Sequence, residues 1–365
     1  MALDAEIKTQ LSQYLALIES DIVFQANLGT DENSKKVRDF IDEIVSMSDK
    51  IGFESKKLSR MPAFRIAKKG QESGVEFAGL PLGHELTSLI LALLQVSGRP
   101  PKVDEEVINR IKAIDTPLHF ETYVSLSCHN CPDVVQAFNI MAVINPNISH
   151  TMIEGGMFQD EVKAKGIMSV PTVFHNDEIL TSGRTNIEQL LDLIAGPVSE
   201  TTFADKGIFD VLVIGGGPAG NSAAIYAARK GIKTGLLAET FGGQVMETVG
   251  IENMIGTPYI EGPVLMSQVE EHTKSYDVDI MKAQKAIAIH KKDVIEVTLA
   301  NGAILKSKTA ILSLGAKWRN INVPGEVEFR NKGVTYCPHC DGPLFTDKKV
   351  AVIGGGNSGL KQLLI

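Results

Sequence analysis

The stretch Phe209-Asp-Val-Leu-Val-Ile-Gly-Gly-Gly-Pro-Ala-Gly220 decides how the second half of the chain folds. Its apolar start reads as a buried strand, and Gly215-Gly-Gly217-Pro218-Ala219-Gly220 is a G-x-G-x-x-G turn opening a helix of small residues, Ser222 to Ala228. Only glycine lets the backbone approach a pyrophosphate so closely, and the unpaired N–H groups of the following helix complete the anion site. The next strand, Lys233 to Ala238, ends in Glu239, which is suited to hydrogen-bond an adenosine ribose. The fingerprint alone does not choose between FAD and NAD. A second one follows Lys348-Lys-Val-Ala-Val-Ile353 at Gly354-Gly-Gly356-Asn-Ser-Gly359, although its helix never develops and a plain glycine turn is the alternative.

The four cysteines form two C-x-x-C pairs, Cys128-His-Asn-Cys131 and Cys337-Pro-His-Cys340, separated by 205 residues and the first fingerprint. A structural disulfide framework scatters its cysteines, and a zinc site would have to close both pairs on one metal. Redox chemistry is therefore the leading reading over zinc, and no metal ligand is assigned. Two fingerprints flanking a C-x-x-C suggest a flavoprotein with separate FAD and nicotinamide sites, passing a hydride to flavin and an electron pair to a disulfide. Asp341, next to Cys340, can carry the proton of thiol–disulfide exchange, and a solvated loop aspartate is the equal alternative.

Around the first pair, residues 117–124 are strand-like and Pro132 to Ala142 helical. This order of strand, redox turn and helix is thioredoxin-like and sets Cys128 at a helix N-terminus, where the dipole favours a thiolate. Cys128 is the expected nucleophile and Cys131 the resolving thiol, with His129 and Asn130 tuning the potential. Pro171 is expected to be cis beside the dithiol, or else an ordinary strand-edge proline. A weaker copy precedes this unit. Phe24 aligns with Phe120, Asp31-Glu-Asn-Ser34 falls 97 residues before the first C-x-x-C, and Val75 to Phe77 echoes Thr172 to Phe174. Residues 1–195 thus read as two fused units, only the second keeping its thiols. Glu85, before the apolar helix Thr87 to Val96, is either a proton acceptor facing the neighbouring unit or a solvated first-turn carboxylate. His84 is expected to be structural.

The chain has 365 residues, 44% hydrophobic and 22% charged, enough for two or three cores. The amphipathic start, Met1 to Ser20, lacks the pattern of a secretory signal, and no apolar run is long enough to span a membrane. A cytoplasmic location is expected, where a C-x-x-C cycles. The formal charge of −8 is spread along the chain, which disfavours nucleic acid and anionic membranes as partners.

Phe241-Gly-Gly-Gln-Val245, Ile251-Glu-Asn-Met254, Cys337-Pro-His-Cys-Asp341 and Val350 to Gly359 resemble the thioredoxin reductase type of flavoprotein. With the double thioredoxin-like N-terminus, the chain resembles the F subunits of bacterial alkyl hydroperoxide reductases. The resemblance implies that NADH reduces FAD, the flavin reduces Cys337/Cys340, that pair reduces Cys128/Cys131, and the N-terminal dithiol reduces the disulfide of a peroxiredoxin. It further implies that Cys340 faces the flavin, Cys337 exchanges with the N-terminal pair, and Asp341 and Glu85 serve as nearby acids. Gly215, Gly217, Pro218, Ala219, Gly220, Glu239, Gly243, Gln244 and Asn253 would hold FAD, Gly354, Gly356 and Gly359 the nicotinamide cofactor, and the full-length form would be a homodimer.

The expected fold class is α/β: two tandem thioredoxin-like units followed by an incomplete Rossmann-like FAD/NAD(P)-binding flavoprotein region. The expected domains are 1–100, a unit without C-x-x-C; 101–195, with it; a linker, 196–207; the FAD-binding part, 208–331; and the start of an NAD-binding domain, 332–365. After Gly359 the chain departs from the family, reading Leu360-Lys-Gln-Leu-Leu-Ile365, about one domain short of the family pattern and suggestive of a frameshift. The sequence-based expectation is little bound FAD and no NADH turnover, with residues 1–195 folding and keeping a working dithiol. The alternative function is accordingly a thiol–disulfide carrier or an inactive remnant.

Overall fold

The computed structural model describes residues 5–128, 130–167, 169–196, 203, 206–248, 250–316, 320–326, 329, 333–334 and 348–356. Cys337, Cys340, Asp341, Gly359, His129 and most of the expected linker lie outside the described residues. The chain divides into two compact units, Met1–Gly196 and Pro197–Ile365.

In the first unit, helix α1 (Ala5–Leu15) leads into β1 (Ile22–Asn27), α2 (Glu32–Val45), β2 (Ile51–Ser55), β3 (Ala63–Lys68), β4 (Val75–Ala78) and α3 (Leu86–Ser97). Helix α4 (Glu105–Lys112) then precedes β5 (Leu118–Val124), α5 (Cys131–Ile144), β6 (Ile148–Glu154), α6 (Gln159–Ala164), β7 (Thr172–His175), β8 (Glu178–Ser182) and α7 (Ile187–Ala195). All eight strands form one sheet in the order β2-β1-β3-β4-β6-β5-β7-β8. Each half therefore repeats one order of four strands, and the halves meet where β4 runs parallel to β6, from Val75 opposite His150 to Ala78 opposite Ile153.

Local chemistry explains the helices. Asp31 caps α2 by accepting from the Ser34 amide, and Val37, Phe40, Ile41 and Ile44, spaced at helical period, are buried. Asn186 and Gln189 form a capping box on α7. Helices α3 and α5 pack on the sheet within one apolar cluster that runs from Leu11 to Leu191 and includes both cysteines. Across the seam, Arg60 from the first half pairs with Glu121 at 2.8 Å and Glu161 at 2.9 Å in the second.

The repeat is real but its strand matching differs from the sequence echo. Thr172–His175 pairs antiparallel with β5 as Ala63–Lys68 pairs with β1, so β7 is the counterpart of β3, and Val75–Ala78 is the counterpart of β8. The second half turns from its third strand to its fourth at Asn176 and Asp177, both at positive φ, whereas the first half uses the longer stretch 69–74. Unequal hairpin loops shifted the apparent alignment by one strand. The Val170–Pro171 peptide is cis, as is Met61–Pro62 at the matching place.

The second unit opens with β9 (Ile208–Ile214), α8 (Pro218–Ala228) and β10 (Thr234–Ala238). It continues with a short 3-10 turn (Gly243–Glu247), α9 (Gly262–Lys274), β11 (Val278–Lys282), β12 (Ala286–Lys291), β13 (Ile295–Leu299) and β14 (Ile304–Leu312). Strands β11, β10, β9 and β14 are parallel neighbours, and β13 and β12 extend the sheet antiparallel to them. The segment expected as a strand at 348–353 is in no strand. Val350 and Ile353 are 64% and 73% exposed, and among the described residues no neighbouring strand takes up their hydrogen bonds or apolar surface. Among the described residues no helix is long and apolar enough to cross a membrane.

Candidate functional site

The redox turn stands at the C-terminal end of β5 and opens α5, whose first residue is Cys131. Cys128 and Cys131 are in the thiol form and are not joined in a disulfide. Cys128 is 7% exposed, and Cys131 is completely buried. The Cys128 amide donates to the Ser125 carbonyl at 2.9 Å, and the Cys128 thiol donates to the Val170 carbonyl, just before cis Pro171, at 3.7 Å. The less exposed thiol is the harder to ionise: burial foremost, then the neighbouring Cys128, pushes the Cys131 thiol far up. This asymmetry suits an attacking sulfur that keeps a small opening to solvent and a resolving one that is fully enclosed.

The thiol-free first half contributes to this site. The His84 amide donates to the Leu126 carbonyl at 3.1 Å, two residues before Cys128. A Cβ at Gly83, whose φ is +56°, would fall 2.5 Å from that carbonyl oxygen, so the approach requires glycine. This contact brings in Glu85, which closes a 3-10 turn (Gly83–Glu85) before α3. Glu85 is completely buried, and among the described residues neither carboxylate oxygen meets hydrogen-bond geometry with a donor. Burial first, then the charges of Cys128 and Asp133, push its pKa up to about 7, with the Ser88 hydroxyl acting the other way. The solvated alternative for Glu85 is thereby corrected: the α3–α5 packing covers it. On α5, Asp133 pairs with Arg184 at 2.6 Å, and Gln136 donates to Ser88 of α3 at 3.3 Å. Arg184 and Ser88 carry no sequence signal, since only the fold brings them to the dithiol.

Among the described residues no group of three or more His, Cys, Asp or Glu side chains converges as a metal site.

In the second unit the glycine turn follows β9 and caps α8 at Gly217. A Cβ on Gly215 would lie 2.1 Å from the Ser313 carbonyl oxygen, and one on Gly220 would lie 1.8 Å from that of Gly215. A Cβ on Gly217 would meet only the Gly242 carbonyl oxygen, at 3.9 Å, which leaves an open cradle in front of the α8 N-terminus. Pro218 and Ala219 are exposed at its rim and Gly220 is buried behind it. The segment Phe241–Gly243 packs against the cradle: the Gly242 amide donates to Gly216, and a Cβ on Gly243 would lie 3.7 Å from the Gly217 Cα. Gln244 adjoins this contact, half-buried. Glu239, exposed at the end of β10, pairs with Lys285 at 3.3 Å. Asn253 is exposed on the loop that leads from the 3-10 turn to α9. This arrangement fits a dinucleotide pyrophosphate and ribose. Gly354 and Gly356 do not: a Cβ on either would meet nothing within 4 Å, and no strand leads into them. Sequence reasoning missed Asn221, directly after Gly220, which donates to the Gly216 carbonyl at 2.8 Å from a fully buried position.

Residues 209–362 match the family model for pyridine nucleotide-disulphide oxidoreductases, and residues 118–195 match that for a thioredoxin domain. A Bacillus subtilis protein named NADH dehydrogenase is 59% identical over 364 residues, which are 100% of this chain and 72% of that protein. The F subunit of the Xanthomonas campestris pv. phaseoli alkyl hydroperoxide reductase is 53% identical, over 99% of this chain and 70% of that protein. Its namesake from Staphylococcus aureus is 50% identical, over 99% and 71%. Among solved structures, the N-terminal domain of the Enterococcus faecalis alkylhydroperoxide reductase AhpF matches at 28% identity and TM-score 0.49, covering 52% of this chain and 99% of that one. The thioredoxin reductase of Streptococcus pyogenes matches at 35% identity and TM-score 0.41, covering 44% and 52%.

Proposed function

This chain belongs with the alkyl hydroperoxide reductase F subunits, a family of pyridine nucleotide-disulphide oxidoreductases, and on that premise we propose that its Cys128/Cys131 dithiol reduces the disulfide of a peroxiredoxin, with Glu85 as the proton acceptor. The observation that carries this reading is the buried, unpaired Glu85 carboxyl beside a thioredoxin-like dithiol.

The Cys128 thiolate attacks one sulfur of the partner disulfide, forming a mixed disulfide and releasing the other partner sulfur as a thiolate. Cys131, which feels the charge of Glu85, gives its proton to that carboxylate and attacks Cys128 Sγ. The second partner sulfur leaves as a thiolate and takes up a proton. Two electrons have moved, and Cys128–Cys131 is a disulfide. A carboxyl with a pKa of about 7 exchanges protons readily at neutral pH, which one near 4.5 does not. A reducing cytoplasm suits a pair that must be returned to the dithiol form after each turnover.

The cradle residues Gly215, Gly217, Pro218, Ala219, Gly220, Gly243 and Gln244, with Glu239 on the ribose, would hold FAD. When bound, that group supplies two-electron transfer between a nicotinamide and a disulfide. Cys337 and Cys340, with Asp341 beside them, would be the pair facing it. The nicotinamide fingerprint does not have the geometry of a binding turn among its described residues, so no step is derived through it.

The test uses the full chain reduced by excess dithiol, desalted, and mixed with an oxidised peroxiredoxin. Wild-type protein should yield free thiols on the peroxiredoxin, Cys128→Ser should abolish that reduction, and Cys131→Ser should accumulate a mixed disulfide. Undiminished transfer by Cys128→Ser would overturn the assignment. If transfer needs the external dithiol even when NADH is supplied, the chain acts as a thiol carrier.

A further inference from the structure

The glycine turn is fixed at Gly215, Gly216 and Gly220 by sterics, and the peptide between Gly216 and Gly217 by something else. None of these three has room for a Cβ, a Cβ on Gly216 falling 2.5 Å from that of Ala238, but rotation of the Gly216–Gly217 peptide meets no side chain of its own. In a trans peptide the C=O and N–H point in opposite directions. Whatever holds the Gly216 carbonyl inward therefore aims the Gly217 N–H outward, toward the cradle. A flipped peptide would instead present a carbonyl oxygen to an anionic ligand.

Two donors hold that carbonyl. One is the Gly242 amide at 2.8 Å. The other is Nδ2 of Asn221, at 2.8 Å, which also donates to the Gly217 carbonyl at 3.0 Å. Asn221 and Thr273 are both completely buried. The Thr273 hydroxyl, on α9, reaches Asn221 Oδ1 at 2.8 Å and the Val269 carbonyl at 2.8 Å. Chemistry fixes the amide orientation: two carbonyl oxygens require the NH2 end, leaving Oδ1 to accept from Thr273. The Gly216 and Gly217 carbonyls keep the amide from turning over, since a turned amide would set Oδ1 against both, and the Thr273 hydroxyl supplies the donor for Oδ1.

We propose that Asn221, locked by Thr273, is a positioning residue for the nucleotide site, holding the glycine turn with its amides outward for a pyrophosphate-bearing ligand. It touches no ligand and acts through the Gly216 and Gly217 carbonyls. The inference rests on the nucleotide reading of the cradle. The competing role is simple glue between α8 and α9, in which case Asn221 and Thr273 would matter equally and only for stability.

The experiment compares the full chain with its Asn221→Ala and Thr273→Val variants, below their unfolding transitions, by ADP titration and by amide hydrogen exchange without ligand. Asn221→Ala should weaken ADP binding about tenfold, the effect of losing one well-made hydrogen bond, and Thr273→Val only about twofold to threefold. The Gly242 amide, whose acceptor is the Gly216 carbonyl, should exchange at least about tenfold faster in Asn221→Ala. The Gly215 amide, which donates to Leu237 at 2.8 Å, should keep its protection. Unchanged Gly242 exchange in Asn221→Ala overturns the clamp, as do equal losses of ADP affinity in the two variants. A parent chain that binds no ADP sinks the nucleotide reading and the ligand half of the proposal with it. Gly242 exchange still decides the clamp in that case.

Discussion

At the scale of single residues, Glu85 shows what a sequence can and cannot say. Its place before an apolar helix is legible from Gly83-His-Glu-Leu86, but its burial depends on a contact from Leu126, over forty positions away, to the His84 amide. No local pattern encodes that contact. Asn221 was illegible for the opposite reason: it stands beside a strong motif, but its partners are backbone carbonyls and a threonine on another helix. Burial of Glu85 also has a thermodynamic signature. The folded pKa of about 7 lies above the ordinary 4.5, so between these values the unfolded chain has lost a proton that the folded chain keeps. Stability from this residue therefore falls as pH rises through the window, by up to about 3 kcal/mol above pH 7. Glu85→Gln should remove that loss, leaving the variant more stable than wild type at pH 8 while slowing peroxiredoxin reduction several-fold. Denaturant titrations at pH 5 and 8 check the first point and stopped-flow thiol exchange the second. A variant equally destabilised at both pH values would contradict the burial argument.

At the scale of elements, the seam strand β6 carries a buried polar group that the sequence did not mark. His150 sits opposite Val75, with Nδ1 2.8 Å from Asn139 of α5 and Nε2 2.8 Å from Thr122 of β5. Burial pushes its pKa down to about 3. The sign here opposes that of Glu85: below the ordinary 6.5 the unfolded chain takes up a proton that the folded chain refuses, so stability falls as pH drops from 6.5 toward 3. His150→Asn should be less stable than wild type at pH 7, having lost shape and a hydrogen bond, yet lose less on acidification to pH 4.5. Parallel losses in the two proteins would show that His150 does not set the acid limit. The elements themselves were largely legible, because helical spacing in α2 and the cap at Asp31 are local signals. Strand equivalence between the repeats was not, since the fourth strand can follow the third after turns of different length. Likewise 350–353 has the composition of a strand, but composition cannot supply a neighbour to pair with.

At the scale of the molecule, the first unit is a repeat in sequence but a single body in its packing. Phe64 of the first half stacks on Phe77 with ring centroids 5.5 Å apart and meets Phe24 edge-on at 5.3 Å, and these rings belong to the apolar cluster that holds Cys131 and Phe138. A sheet that crosses the seam through β4 and β6, and a dithiol that lies beside the buried Glu85 of the other half, leave neither repeat with a core of its own. The second unit has clusters of its own, around Phe209 and Leu237 and around Val213 and Met266. Cooperativity should follow these cores and not the sequence repeat. Phe64→Ala, expected to cost about 3–5 kcal/mol as a buried ring deletion, should lower the protection of the slowest amides in β1 and in β5 by the same amount. Those of β9 and β10 should stay at their wild-type protection. Native-state hydrogen exchange reads all four strands in one experiment. If β5 held its protection while β1 lost it, the two halves would be separate folding units, and Glu85 could leave the dithiol without unfolding the domain that bears it.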